Sequence, residues 1–445
     1  MRSPVLSHVR ELLRLAVPTV VTRSGALVML MVDIAMLGHA SSRELAFYSL
    51  AMGPVSTFML TALGLLMGTL VVTSQLHGAG RDARCGGVWR RSLPYAMAIG
   101  AVVVAVSATG PGMYRLLGQE EALAQGAADV TFVLGVGVPG YLGYLASGYF
   151  LEGLKRPWPG TWIMLAGNLA NAALNAAWIP EHGAVGAAWA TGAARWLMCL
   201  AAAAWVWFLR DGDRFAVRRG PWRDTEAWRL QRRLGYAAGA SIGVEAFAFS
   251  SLNVMSGWFG ADSLAAYAIG INLLGMVFML ALGVGSATSV RVGHAVGRGD
   301  MRDAEVAGWT GLGVNTLLVL PLVAAFAAAP QIFAAVYTGD PQVLALAGLL
   351  VTWIALILPF DGAQAVMSNA LRGRGETWAP MVLQGCAYLL VMMPCAWGFS
   401  TRLGLGVGGL FAAVAVASVV SATLLSARFR WLARRDYART EEVGA

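Results

Sequence analysis

The sequence predicts an all-α integral membrane protein: twelve transmembrane helices in two six-helix lobes related by a pseudo-two-fold axis along the membrane normal. Three observations lead there. The first is composition: the 445 residues are 58% hydrophobic and 13% charged, with mean hydropathy +0.63, against about a quarter charged in soluble domains. The second is a one-sided distribution of arginine, and the third is self-similarity between the two halves of the chain.

A bilayer core about 30 Å thick takes roughly 20 apolar residues per helix. Runs of that length cover residues 12–38, 45–76, 88–110, 126–150, 160–180, 185–209, 234–259, 264–292, 304–328, 343–371, 379–400 and 404–427. The first run carries Arg23 and Asp33 and no small-residue cleavage site, so it reads as a retained helix rather than a signal peptide. With an inside N-terminus, Arg2, Arg10 and Arg14, the turns around Arg81 to Arg91, Lys155 and Arg156, Arg291 to Arg302, Arg372 and Arg374, the segment 210–233 and the tail fall on the cytoplasmic side. Arg43, Arg115 and Arg402 fall outside. This asymmetry is the positive-inside pattern. It assigns the net charge of +8 to topology and anionic lipid rather than nucleic acid, and it places both termini in the cytoplasm of a bacterial-type inner membrane.

Shifting the sequence by 219 residues aligns Leu45, Ala46 and Tyr48 with Leu264, Ala265 and Tyr267, and Gly78 and Gly80 with Gly297 and Gly299. An even number of spans per repeat inserts both halves the same way up. The predicted organisation is a lobe over 1–209, a cytoplasmic Arg-rich linker over 210–233, a second lobe over 234–427 and a cytoplasmic tail over 428–445. The fourth and tenth spans carry Pro139 and Pro359 at matching positions. Proline removes a backbone hydrogen bond, and interrupted helices at corresponding places in two repeats point to a transport site. Both are therefore expected to be hinges, although proline also kinks membrane helices for packing alone.

Several chemistries are excluded or disfavoured. The Gly-x-Gly-x-x-Gly matches at 135–140 and 404–409 follow no strand and read as close helix packing. The sole lysine, Lys155, lies in no phosphate-binding loop. His8, His39, His77, His182 and His294 lack metal-ligand spacing, and Cys85, Cys199, Cys386 and Cys395 are scattered. No cofactor is expected.

Charges inside membrane spans are costly and tend to be functional. Asp33 lies in the first span, Glu245 in the seventh and Asp361 in the tenth. They are candidates to exchange a proton or cation. The alternative is a buried ion pair, with Arg23 or Arg195 as partner for Asp33. For Glu245 and Asp361 the second half's spans offer no evident basic partner, so their mutual repulsion would be relieved by a bound cation or a shared proton, and residue type alone does not choose between them. Asn168, Asn171 and Asn175 share one face of the fifth span. There they either reach Asp33 or join helices to one another.

Together these residues form a pattern that resembles the multidrug and toxic compound extrusion (MATE) family, within the flippase-related MOP superfamily. MVDIAMLG at residues 31–38 resembles the family's first-helix signature and would place its proton-linked acid on Asp33. Residues 264–300 are similar to its eighth helix and turn, and PFDGAQAVMSNALRG at 359–373 to its tenth. Glu245 matches an acid of the NorM branch. The resemblance implies a monomeric antiporter, not an enzyme, that exports organic, cationic amphiphilic drugs or metabolites by alternating access. Na+ or H+ entry would drive it, with Asp33, Asn171 and Asn175 in one cavity and Glu245 and Asp361 in the other. Sodium is favoured for the Glu245–Asp361 pair because the NorM-like pattern implies it. The same negative cleft would favour cationic amphiphiles, with the aromatic faces of Phe247 or Tyr267 as their cation–π partners. A flippase for lipid-linked saccharides, with a more cationic cleft using Arg23 and Arg195, is the alternative. A membrane-embedded enzyme is the remaining rival.

Overall fold

The computed structural model describes residues 4–116, 118–219 and 224–444, and every described element is helical. Of the basic residues assigned to the cytoplasmic side, Arg2 and Arg223 lie outside these residues. In chain order the helices are α1 (Pro4–Ala40), α2 (Ser42–Gly78), α3 (Cys85–Ser107), the short α4 (Gly112–Leu116), α5 (Glu121–Gly153), α6 (Trp158–Trp207), α7 (Thr225–Gly257), α8 (Ala261–Gly297), α9 (Met301–Ala328), the short α10 (Pro330–Ala335), α11 (Pro341–Gly373), α12 (Trp378–Gly385), α13 (Met393–Trp397) and α14 (Gly406–Gly444). A π-helical stretch, Cys386–Met392, joins α12 to α13, and a second, Gly398–Arg402, extends α13.

The twelve expected spans have their counterparts in these segments, because α6 is two helices. Its chain leaves helical geometry at Gly183 (φ 54°, ψ −132°), just after Pro180. Glu44 caps the second arm: its Oε2 accepts from the Ala184 backbone N–H at 2.8 Å, and a side chain at position 183 would collide with that carboxylate. Eight of the described segments are long and apolar enough to cross a membrane by length and composition. The remainder, α3, the two arms of α6 and α7, are diluted by Arg90, Arg91, the three asparagines and the charged start of α7.

The duplication is visible in the helix limits. Adding 219 to Ser42–Gly78 gives the limits of α8, Ala261–Gly297. Both helices lead into a glycine in the left-handed region, Gly80 at φ +70° and Gly299 at φ +78°, which L side chains adopt at a cost. Helix α5 matches α11 at an offset of 220, which also relates Pro139 to Pro359. Both helices continue through their prolines. Pro139 packs directly beneath Gly100 of α3, where a Cβ would lie 2.6 Å from the Pro139 Cα.

The chain divides into two compact units, Val21–Gly239 and Met1–Val20 with Ala240–Ala445. Composition puts the boundary in the Arg-rich linker; packing puts it inside α1 and α7. In the first unit, Gly64 and Gly68 of α2 face Gly235 and Gly239 of α7. A Cβ on Gly68 would stand 2.0 Å from the Gln231 carbonyl oxygen, and one on Gly235 2.2 Å from that of Leu65. Small residues four apart on both helices let the backbones meet. The linker itself is docked on this unit. The Phe215 carbonyl accepts from the Gly86 N–H at 2.8 Å, and Arg156 pairs with Asp211 and Arg214 with Asp82. In the second unit, Arg291, expected at the cytoplasmic surface, is buried. It donates to the His8 carbonyl at 3.0 Å and lies 3.5 Å from Glu11, which ties the start of α1 to α8.

Candidate functional site

Two buried polar clusters, one in each unit, contain the expected acids. In the first unit Asp33 is 1% exposed, and four neutral donors converge on it. Its Oδ1 accepts from Asn175 Nδ2 at 2.6 Å and Asn171 Nδ2 at 3.1 Å. Its Oδ2 accepts from the Tyr48 hydroxyl at 2.6 Å and the Thr191 hydroxyl at 2.7 Å. The asparagines come from the first arm of α6 and Thr191 from the second, so the break at Gly183 folds both arms of one helix around the carboxylate. Charge-assisted hydrogen bonds of this kind stabilise a buried anion without a cation.

Asn171 and Asn175 thus reach Asp33, and Asn168 does not. Its Nδ2 bonds the Met164 carbonyl of its own helix at 3.0 Å. The three share a face, but only the two nearer the Gly183 break lie at the depth of Asp33. Arg23 does not pair with Asp33 either: its Nη2 lies 3.4 Å from Glu152 Oε1 and its guanidinium covers the Tyr149 ring. Arg23 stands ten residues, nearly three turns, before Asp33 on α1, about 15 Å along the axis. Arg195 is buried, faces Tyr141, and forms no direct ion pair with Asp33 among the described residues. Sequence reasoning missed Tyr48 and Thr191 as ligands. The repeat alignment did single out Tyr48, whose counterpart Tyr267 instead donates to the Phe249 carbonyl at 3.1 Å and packs edge-on against Phe411. Tyr267 is buried and Phe247 is 64% exposed.

In the second unit Asp361 is buried and Glu245 half-buried. Tyr388, in the π-helical stretch after α12, donates to Glu245 Oε1 at 3.0 Å. Gln364 Nε2 donates to Asp361 Oδ1 at 3.0 Å and to the Tyr388 hydroxyl at 2.6 Å. The two acids are therefore joined through a tyrosine and an amide. The network continues through Gln364 Oε1, which accepts from Ser421 at 2.9 Å and Gln384 at 3.3 Å. Gln384 Oε1 accepts from Ser241 at 2.6 Å, Ser368 at 3.0 Å and Arg372 at 3.4 Å. Arg372 is thus a basic residue that feeds the cluster from the end of α11, next to the span limit read from sequence. Carboxylate, hydroxyl and amide oxygens are hard donors suited to a small hard cation. Among the described residues no group of three or more His, Cys, Asp or Glu is gathered for a transition metal.

The MatE family model matches residues 18–177 and 239–397. The chain is 36% identical over 449 residues to a probable multidrug resistance protein NorM of Caulobacter vibrioides, covering 99% of this chain and 95% of that one. It is 30% identical over 455 residues to another of that name from Xylella fastidiosa, covering 97% and 94%. Its fold is that of the eukaryotic MATE transporter AtDTX14, with TM-score 0.88 at 19% identity over 98% of this chain and 99% of that one. It is also that of an outward-facing multidrug resistance MATE transporter of the MOP superfamily, with TM-score 0.86 at 20% identity over 97% of each. With both repeats matched by the family model and relatives aligned end to end, this chain belongs to the MatE family of multi-pass membrane transporters and is not an enzyme.

Proposed function

We propose that this chain exports organic, cationic amphiphilic compounds across a bacterial inner membrane by alternating access, as a monomer with cytoplasmic termini and in exchange for cations. The observation that carries the reading is that each unit buries carboxylates held by neutral donors. Asp33 is ligated by two amides and two hydroxyls, and Glu245 and Asp361 are joined through Tyr388 and Gln364. A buried carboxylate without a basic partner favours a proton or cation whenever one can reach it. Glu245 and Asp361, with the oxygens around them, would take sodium, and Asp33 would respond to protons. The relatives named as multidrug resistance proteins support drug export. A flippase reading needs cations accessible to phosphate, whereas Arg23 is neutralised by Glu152 and Arg195 is buried against the Tyr141 ring.

In proteoliposomes, an imposed sodium gradient at constant pH should drive export of a lipophilic cation, and Glu245→Gln or Asp361→Asn should suppress it. Export driven fully by a pH gradient and indifferent to sodium excludes sodium coupling. Undiminished export by the double variant removes the pair from the mechanism.

A further inference from the structure

At one end of the Val21–Gly239 unit the arginines are unequally provided for. Arg84 holds Asp224 through two hydrogen bonds of 2.7 and 2.8 Å and lies 3.7 Å from Glu226. Arg90 and Arg232 have no carboxylate within ion-pair distance among the described residues. The Arg90 Nε and Nη2 atoms are buried without a hydrogen-bond partner there. Arg232 lies against Tyr95, its guanidinium carbon 3.1 Å from the ring centroid, and donates to the Arg91 carbonyl at 3.5 Å. Arg91 is buried and stands within reach of the charges of Asp224, Arg90, Arg232 and Arg84, so arginines from α3 and α7 share one corner.

The depth and surroundings of this corner are those of a membrane interface. Arg90 and Arg91 stand five and six residues after the first residue of α3, and Arg232 seven after that of α7, about 8–10 Å along each axis at 1.5 Å per residue. Trp228, Arg232 and Tyr236 are four apart and share one face of α7, and the two aromatics are 46% and 49% exposed. Gln231, Gly235 and Gly239, on another face of α7, are engaged with α2 and α3. Exposed tryptophan and tyrosine mark the headgroup level of a bilayer, and basic pockets between helices at that level bind lipid headgroups.

We propose that Arg90 and Arg232 bind the phosphate of an anionic diacyl phospholipid, whose glycerol region packs on Trp228 and Tyr236. A phosphodiester supplies a negative charge beside Arg90 and Arg232 and oxygen acceptors for their guanidinium nitrogens. The site is independent of the coupling ion and of which side of the membrane this end faces.

The test is native mass spectrometry of the full chain in detergent with added phosphatidylglycerol, phosphatidylcholine of the same chains, or inorganic phosphate. The parent should retain phosphatidylglycerol in preference to phosphatidylcholine. Arg90→Gln with Arg232→Gln should weaken that retention at least about tenfold, since each interfacial arginine contributes about 1 kcal/mol. Arg229→Gln with Arg233→Gln, exposed on the same helix, should leave it unchanged. If the first pair fails to fold, Arg232→Gln alone should still weaken retention several-fold. Equal retention of the two lipids, equal loss in both double variants, or binding of inorganic phosphate without lipid preference overturns the assignment.

Discussion

Replacing Asp33 by Asn or by Ala separates the charge of this residue from its place in the packing. Asn can enter with its amide oxygen toward Asn171 and Asn175 and its NH2 toward Tyr48 and Thr191, because hydroxyl groups rotate and accept as readily as they donate. All four contacts survive as neutral hydrogen bonds. Each gives up about 1 kcal/mol relative to its charge-assisted form, and the loss of about 4 kcal/mol is opposed by the several kcal/mol no longer needed to bury an anion. Asp33→Asn should therefore unfold within about 2 kcal/mol of the parent. In Asp33→Ala the hydroxyls can turn elsewhere, and Asn171 keeps its bond to Thr191 and Asn175 its bond to Asn171, but each buried amide loses the acceptor of one N–H, at roughly 1–3 kcal/mol each. Thermal unfolding in detergent, paired with export of a lipophilic cation from proteoliposomes, reads both quantities. Asp33→Asn should melt like the parent and fail to export; Asp33→Ala should fail at both. Export by Asp33→Asn at the parental rate and pH dependence refutes the coupling role, and parental melting by Asp33→Ala refutes the four-donor geometry.

Two further outcomes follow from packing and charge. Gly68→Ala forces α2 and α7 apart, because its Cβ would stand 2.0 Å from the Gln231 carbonyl oxygen; overpacking of this kind costs about 1–3 kcal/mol. Gly313→Ala, in the middle of α9, meets nothing within 4 Å and should be neutral or stabilising by roughly 0.5–1 kcal/mol; melting curves that reverse this order refute the crossing. The docked linker should respond to acid only at low pH. Burial works to raise the Asp82 carboxyl, but hydrogen bonds from His77 and Arg214 outweigh it and hold the group below its ordinary value. Arg156 and Arg84 likewise hold Asp211 and Asp224 down. A depressed folded-state value means the stabilisation is complete above the ordinary carboxylate range, about 3.9, and is lost as pH falls through the folded values beneath it. Hydrogen exchange over residues 208–219 should be pH-corrected to a constant from pH 7 to pH 5 and rise below about pH 4; loosening already by pH 5 refutes the carboxylate origin.

The twelve spans, their approximate limits and the duplication were legible in the residues alone, because hydropathy and glycine position are local properties written residue by residue. The 219-residue offset reproduces the limits of α2 in α8, and spacing alone put Asn171 and Asn175 on one face. The acids were legible too, since a carboxylate in an apolar run is conspicuous whatever surrounds it. The partners were another matter. Tyr48 and Thr191 are ordinary hydroxyl residues until the break at Gly183 folds the second arm of α6 back to Asp33. Glu152 lies 129 residues from Arg23, and Gln364 and Tyr388 join two acids from different helices. Which side chains meet depends on the depth and rotation of each helix against its neighbours. Close approaches such as Gly68 on Gln231 set both, and hydropathy carries no record of them. Tertiary packing therefore decided the ligands of each carboxylate and the partners of the buried arginines.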